Sequence, residues 1–316
     1  DLSLSRIKRL LKDLNNPEKK IRNVIQVVGT NGKHSFCSTL REIFETAGYK
    51  VNMNISPSLR KFNERYYFSG KYISDNRLYE LLTEVEKINC RQNITFHEFI
   101  CACFFLEASR NKSDVNIIEA GLFFRLDASN VLDRNIASVI MPIGIDHKDF
   151  LKEGTIDEIV YEKCSHLLNG SKIFVAEQKN DTLNKIKKNI SNNSSEKIIF
   201  KESFNYKKNK NGFIYKDNLG KISLPLPNLS GDFQISNVST AIATARELDQ
   251  FKISNSHIKK AITKIKSEGR LQKITHGKLR RYVSKNNQIL IDGAHNVLAA
   301  SVIVKYLETL NSKKDI

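Results

Sequence analysis

Apolar positions recur along this chain with a period that switches between helix and strand. Leu4, Ile7, Leu10, Leu11 and Leu14 follow the stripe of an amphipathic helix. Val24 to Val28 is a short, mostly apolar run of buried-strand type. A glycine-containing loop follows it, and Ser35 to Ala47 reads as a helix that stops at Gly48. Lys50 to Ile55 is a second strand ending at Ser56-Pro57. A polar loop then leads to a hairpin around Ser69-Gly70. Thr95-Phe96-His97-Glu98 is a capping box, opening an apolar helix. Val115 to Glu119 is a strand ending in a carboxylate. Ile136 to Met141 is another, followed by Gly144-Ile145-Asp146-His147. Thr155-Ile156-Asp157-Glu158 caps a further helix, and Lys172 to Ala176 returns to strand.

Strands separated by helices predict an α/β fold with a mostly parallel, doubly wound sheet. Ligands of such sheets bind beyond the carboxyl ends of the strands. The glycine loop, Ser56, Glu119 and Asp146-His147 all fall there. Between about residues 200 and 226 the pattern turns to hairpin-like pieces, and two helices run from about Phe233 to Lys266. Gln288 to Asp292, then Gly293-Ala294-His295-Asn296 and a helix, reads as the opening of another α/β domain. The chain therefore divides into residues 1–272 and an incomplete second domain, 273–316. Roughly 45 residues after Arg270 is too short for an ordinary independent domain. The chain also begins at Asp1 rather than methionine, so a fragment of a longer chain is expected.

Composition narrows the class. In 316 residues, 40% hydrophobic and 27% charged content is that of a soluble globular protein. The longest apolar stretch, around Phe99 to Leu106, is too short to span a bilayer, and no secretory signal is visible. Cys37, Cys90, Cys101, Cys103 and Cys164 form no C-x-x-C pair and read as reduced thiols. A cytoplasmic monomer with no membrane partner is the expectation. The net charge of +17 invites nucleic acid as a partner. The lysines, however, are widely spread and densest in polar stretches such as Lys207-Lys208-Asn209-Lys210, with no recognition-module signature. Attraction of small polyanionic substrates is the more economical use of the charge.

The glycine loop reads Gly29-Thr30-Asn31-Gly32-Lys33-His34-Ser35 between a strand and a helix. Backbone N–H groups and a lysine at that junction suit an anion. Lys33 would sit against the β- and γ-phosphates, and the Ser35 hydroxyl would reach a phosphate or its metal. The strict phosphate-loop pattern is not met, because Val27 holds the outer glycine position and His34 separates Lys33 from Ser35. The first helical turn disfavours imidazolium, so His34 is expected to be neutral.

GTNGK followed by a further residue and Ser resembles the phosphate loop of the Mur-ligase superfamily. The other motifs resemble its dihydrofolate synthase/folylpolyglutamate synthase branch. They are Ser56-Pro57-Ser58-Leu59 with Phe62-Asn63-Glu64-Arg65, and Glu119-Ala120-Gly121-Leu122 with Arg125-Leu126-Asp127-Ala128. Asp146-His147, Glu162-Lys163, Gln234 and Asn237, Gly269-Arg270-Leu271 and Asp292-Gly293-Ala294-His295-Asn296 follow in family order. The resemblance implies a Mur-ligase-like ATPase domain followed by the start of a glutamate-ligase domain. Its family continues for on the order of 100 residues beyond this point. It also implies an ATP- and magnesium-dependent ligase that activates a carboxylate as an acyl phosphate and lets the amino group of glutamate displace phosphate. Dihydropteroate or a reduced folate is then the acceptor. Ser56, Glu119 and His147 match magnesium ligands. Lys163 matches a carbamylated lysine, His295 a histidine near the reacting groups, and Asn237, Arg270 and Asp292 positions contacting ATP across the domain boundary. Two other readings remain: a degenerate, non-catalytic ATP- or folate-binding relative, and another Mur-type ligase of peptidoglycan precursors.

Phe123-Phe124 departs from the family's Gly-Gly. If those glycines serve positive φ or close backbone approach, the phenylalanines require a rearranged loop directly after Glu119.

Overall fold

The computed structural model describes residues 2–284 and 286–310. In chain order the elements are α1 (Ser5–Asp13), β1 (Val24–Val28), α2 (Lys33–Thr46), β2 (Val51–Asn54), β3 (Tyr66–Phe68), β4 (Lys71–Tyr72), α3 (Asp75–Asn89) and α4 (Phe96–Arg110). Then come β5 (Val115–Glu119), β6 (Ala137–Ile140), α5 (Ile156–Cys164), β7 (Lys172–Val175), α6 (Asn180–Asn189) and β8 (Glu196–Ile199). The remainder is β9 (Asn205–Asn209), β10 (Gly212–Asp217), β11 (Gly220–Pro225), α7 (Phe233–Glu247), α8 (Asn255–Ile262), β12 (Gln272–Lys273), β13 (Leu290–Ile291) and α9 (Val297–Glu308).

The main sheet has eight strands in the order β4-β3-β2-β5-β1-β6-β7-β8. Six of them, from β2 to β8, are parallel, and the β3–β4 hairpin adds an antiparallel edge. This is the expected doubly wound fold. Every residue of β1, β2, β5 and β6 is buried, as a sheet covered on both faces requires. One face packs on α2, α7, α8 and the three-stranded β9–β11 sheet, through residues such as Phe36, Phe44, Phe213 and Ile242. On the other face α1, α3 and α4 form one cluster around Leu10, Leu81 and Phe104, while α5 and α6 form another around Ile159 and Ile186.

Local signals explain the helix starts. The Thr95 hydroxyl accepts from Glu98 N–H and the Thr155 hydroxyl from Glu158 N–H, so both capping boxes form. The hairpin at Ser69-Gly70 is β3–β4. Helices α3 and α6 and strand β8 were not singled out by the sequence pattern. The terminal segment is short: β12 and β13 pair antiparallel, and α9 has no fully buried residue. Of the range 273–316, residue 285 and residues 311–316 lie outside the described residues.

Candidate active site

β1 sits at the centre of the sheet, with β5 on one side and β6 on the other, and β2 lies beyond β5. The carboxyl ends of these four neighbours deliver, in spatial order, Ser56, Glu119, the glycine loop and Asp146-His147. A chain reversal of strand order of this kind opens the crevice in which doubly wound sheets bind ligands.

The glycine loop is shaped by close approach. Gly29 has φ +144°, and a Cβ there would lie 2.8 Å from that of Met141. Gly32, at φ +80°, would place one 2.6 Å from Asn237 Oδ1. Thr30 and Asn31 donate their N–H groups to Pro142 O, and Thr30 Oγ1 donates to Gly144 O at 3.0 Å. The loop after β6 thus clamps the loop after β1. The first-turn amides of α2 have no partner within the helix and face the same end of the sheet.

Cations crowd this point. Lys33 Nζ donates to Gly29 O at 3.1 Å and Thr30 O at 3.2 Å, and Lys163 Nζ donates to the same Gly29 O at 3.0 Å. Lys163 is buried, and burial together with nearby Lys33 lowers its pKa from 10.5 to about 7. Glu119 is the facing carboxylate: it stands 3.8 Å from Lys33 and accepts from Ser56 N–H at 3.3 Å. Burial raises its pKa, against the opposing pull of Lys33 and of the Ser56 N–H. Arg270 also acts electrostatically on Glu119 and on His34. Around Glu119 the positive charges of Lys33 and Arg270 outnumber its own, the chemistry of a polyphosphate site.

His34 is pushed down to about 4, first by burial and then by Arg270 and Arg41. It is neutral, as expected, although burial is the leading cause and not the helix start. Its Nδ1 lies 3.5 Å from Ser267 Oγ, which is 3.4 Å from the buried Ser35 hydroxyl. Asn237 spends its Nδ2 on Gln234 Oε1 at 2.9 Å, and Gln234 Nε2 is buried without a hydrogen-bond partner.

The far wall of the crevice comes from the terminal segment. Asp146 is held low: burial works against this, and His147, the Asn296 amide and His295 outweigh it. His295 Nε2 is 3.4 Å from Asp146 Oδ2, and Asn296 Nδ2 donates to the same oxygen at 3.0 Å. The side-chain amides of Asn296 and Asn31 pair at 3.0–3.1 Å, tying this wall to the glycine loop. Asp292 Oδ2 accepts from Leu271 N–H at 2.7 Å, and Arg270 lies against Gly293.

Phe123 does occupy a left-handed position, with φ +57°, whereas Phe124 does not. Its buried ring lies 5.3 Å from Lys163 Nζ and 6.1 Å from the His147 ring. The loop is anchored further by Arg125, which pairs with Glu162 at 2.8 Å, and by buried Asp127. Asn296, Arg125 and Asp127 were not expected among the organising residues. All three lie in motifs of the resemblance, but their partners are set by tertiary placement.

Among the described residues no three His, Cys, Asp or Glu side chains cluster as a metal site by themselves. The set Ser56, Glu119 and His147 brings one carboxylate, one hydroxyl and one imidazole. A buried carboxylate with an elevated pKa is a fitting ligand for a hard divalent cation, which would hold it ionised. Among the described residues no helix is long and apolar enough to cross a membrane.

A glycine loop at the central strand with two lysines on Gly29 O, and a buried carboxylate on the next strand facing Lys33, fit an ATP-dependent ligase of the Mur type. The Mur ligase middle domain model matches residues 27–245. Dihydrofolate synthetase of Saccharomyces cerevisiae is 28% identical over 97% of this chain and 72% of its own length. Dihydrofolate synthase/folylpolyglutamate synthase of Bacillus subtilis is 30% identical over 93% of this chain and 69% of its own. A solved FPGS–AMPPCP–folate complex superposes with a TM-score of 0.88 at 28% identity, covering 98% of this chain and 76% of that one. The chain belongs to the Mur ligases, in the dihydrofolate synthase/folylpolyglutamate synthase family.

Proposed function

We propose that this chain is an ATP- and magnesium-dependent amide ligase that joins L-glutamate to dihydropteroate, to a reduced folate, or to both. The observation that carries the reading is the convergence of Lys33 and Lys163 on Gly29 O beside buried Glu119. Family membership over most of the chain supports ligation over a merely binding relative.

In this reaction a carboxylate oxygen of the pteroate or folate attacks the γ-phosphorus of ATP, and the bond to ADP breaks. The α-amino nitrogen of glutamate then attacks the acyl carbon, loses a proton, and inorganic phosphate leaves. All three reactants are anions, so the protein must first offset their repulsion. Lys33 and the loop Gly29–Ser35 hold the phosphates, through the N–H groups that Pro142 O does not take, with Asn237, Arg270 and Asp292 on the nucleotide across the boundary. Arg270 suits phosphate through its planar fork. Ser56, Glu119 and His147 would hold magnesium, which when bound supplies positive charge at the phosphate oxygens. Lys163, with its ammonium destabilised to about 7, supplies the neutral amine that a carbamate requires. His295, oriented by Asp146, stands on the side from which the terminal segment closes the crevice.

The division assigned is an ATP-binding domain over 1–272 and the beginning of a glutamate-ligase domain from 273. The β12–β13 pair links the two. A cytoplasmic monomer acting on small molecules, without nucleic acid or membrane, completes the proposal. Glutamate-dependent phosphate release with dihydropteroate or tetrahydrofolate tests it, and absence of release with both removes the assignment.

A further inference from the structure

Asp127 is fully buried, and its Oδ2 accepts from three directions. Gly121 N–H donates at 3.1 Å, Leu122 N–H at 2.8 Å, and His97 Nε2 lies at 3.1 Å. The other oxygen accepts from Ser129 N–H at 2.9 Å and Ser129 Oγ at 2.5 Å. Gly121 and Leu122 begin the turn that follows Glu119 and Ala120, so the carboxylate fixes the path of the chain two residues after the candidate metal ligand.

His97 reaches this point from a different element. It is the second residue of α4, placed by the Thr95–Glu98 capping box. Its imidazole packs against Gly121, where a Cβ would lie 2.5 Å from Cε1. Cys101, one turn further along α4, has its sulfur 3.8 Å from Nε2. Burial disfavours charge on this imidazole, but Cys101 and Asp127 outweigh it and raise its pKa. Asp127 is held low despite burial, chiefly by His97 and Ser129. The Asp127 side chain is fully buried while that of His97 is 35% exposed, so the carboxylate is the partner that cannot turn to water when the imidazole is removed.

We propose that His97 is a positioning residue for the Glu119 loop: through Asp127 it locks the Gly121–Leu122 turn and thereby aims the Glu119 carboxylate. This rests on the ligase reading for its use, though not for its geometry. Partners that orient a ligand through a hydrogen bond are typically worth about 10–100-fold in affinity or activity.

The test is amide hydrogen exchange at Gly121 and Leu122 in the full chain, comparing wild type with His97→Phe and His97→Gln. Phenylalanine keeps the ring volume without the N–H; glutamine keeps a donor near Nε2. Exchange at these two amides should rise at least tenfold in His97→Phe, with α4 unchanged, and return toward wild type in His97→Gln. In an active preparation, kcat should fall about tenfold in His97→Phe with KM for ATP little altered, and glutamine should restore most of it. Unchanged exchange at Gly121 and Leu122 would overturn the proposal. So would equal loss of protection along α4 and β5, which marks a merely structural residue. Loop locking without turnover in wild type would instead count against the ligase reading alone.

Discussion

The loop after β1 and the loop after β5 leave adjacent strands and converge on the same lysine pair, but they solve the same backbone problem with opposite residues. Gly29 and Gly32 take positive φ where a side chain would collide with Met141 or Asn237. Phe123 takes positive φ with a full aromatic ring attached. Left-handed geometry costs a residue with a Cβ roughly 1–2 kcal/mol. Burying an aromatic ring returns about 1.5–3 kcal/mol, and both Phe123 and Phe124 are buried in the cluster beneath α5. The first loop is thus dictated by space at the anion site, and the second by packing behind it. Departure from a glycine pattern is tolerable where the ring has somewhere to go.

That contrast can be pressed from several sides. Lys33→Ala should lower glutamate-dependent phosphate release about a thousandfold, because its role is electrostatic. Phe124→Ala should cost about 4 kcal/mol in a urea melt, the usual penalty for emptying a buried aromatic site. Lys163 lies between the two loops, and its depressed pKa has a definite sign. The unfolded chain keeps this proton up to about 10.5 while the folded chain releases it near about 7, so stability rises with pH across that window. Lys163→Met should therefore be more stable than wild type at pH 7 by on the order of 4 kcal/mol, with the gap closing as pH approaches that of free lysine. Gly32→Ala should cost about 3 kcal/mol and weaken nucleotide binding, since strain and collision with Asn237 add. Phe123→Gly should cost less, about 2 kcal/mol, because relief of left-handed strain offsets part of the lost packing. If Phe123→Gly proves as costly as Phe124→Ala, the strain assigned to Phe123 is wrong.

The fold was legible where apolar runs coincided with punctuation. Val24 to Val28 before Gly29, and the Thr95 and Thr155 capping boxes, placed their elements to within a residue or two. Helix α3 was missed although Leu78, Leu81 and Val85 carry a helical stripe, because the surrounding residues are polar. Strand β8 is short and at the sheet edge, with half its residues partly exposed, and leaves little pattern. Around the crevice, the strand pattern put the glycine loop, Glu119 and His147 at or after the carboxyl ends of neighbouring strands. The meeting of Lys163 with Gly29 spans 134 positions and is created by the sheet order alone. The same holds for Asn296 on Asn31 and for Arg125 on Glu162. Residue types announce such chemistry, but only topology says which of them share an atom.

The most direct measurement follows the oxygen. A pteroate or folate substrate carrying an ¹⁸O-labelled carboxylate is turned over with ATP and glutamate, and the released phosphate is analysed by mass. Carboxylate activation by phosphoryl transfer requires one ¹⁸O in each phosphate produced with amide. Amide formation that leaves the phosphate unlabelled would contradict the role assigned to the Lys33, Lys163 and Glu119 site.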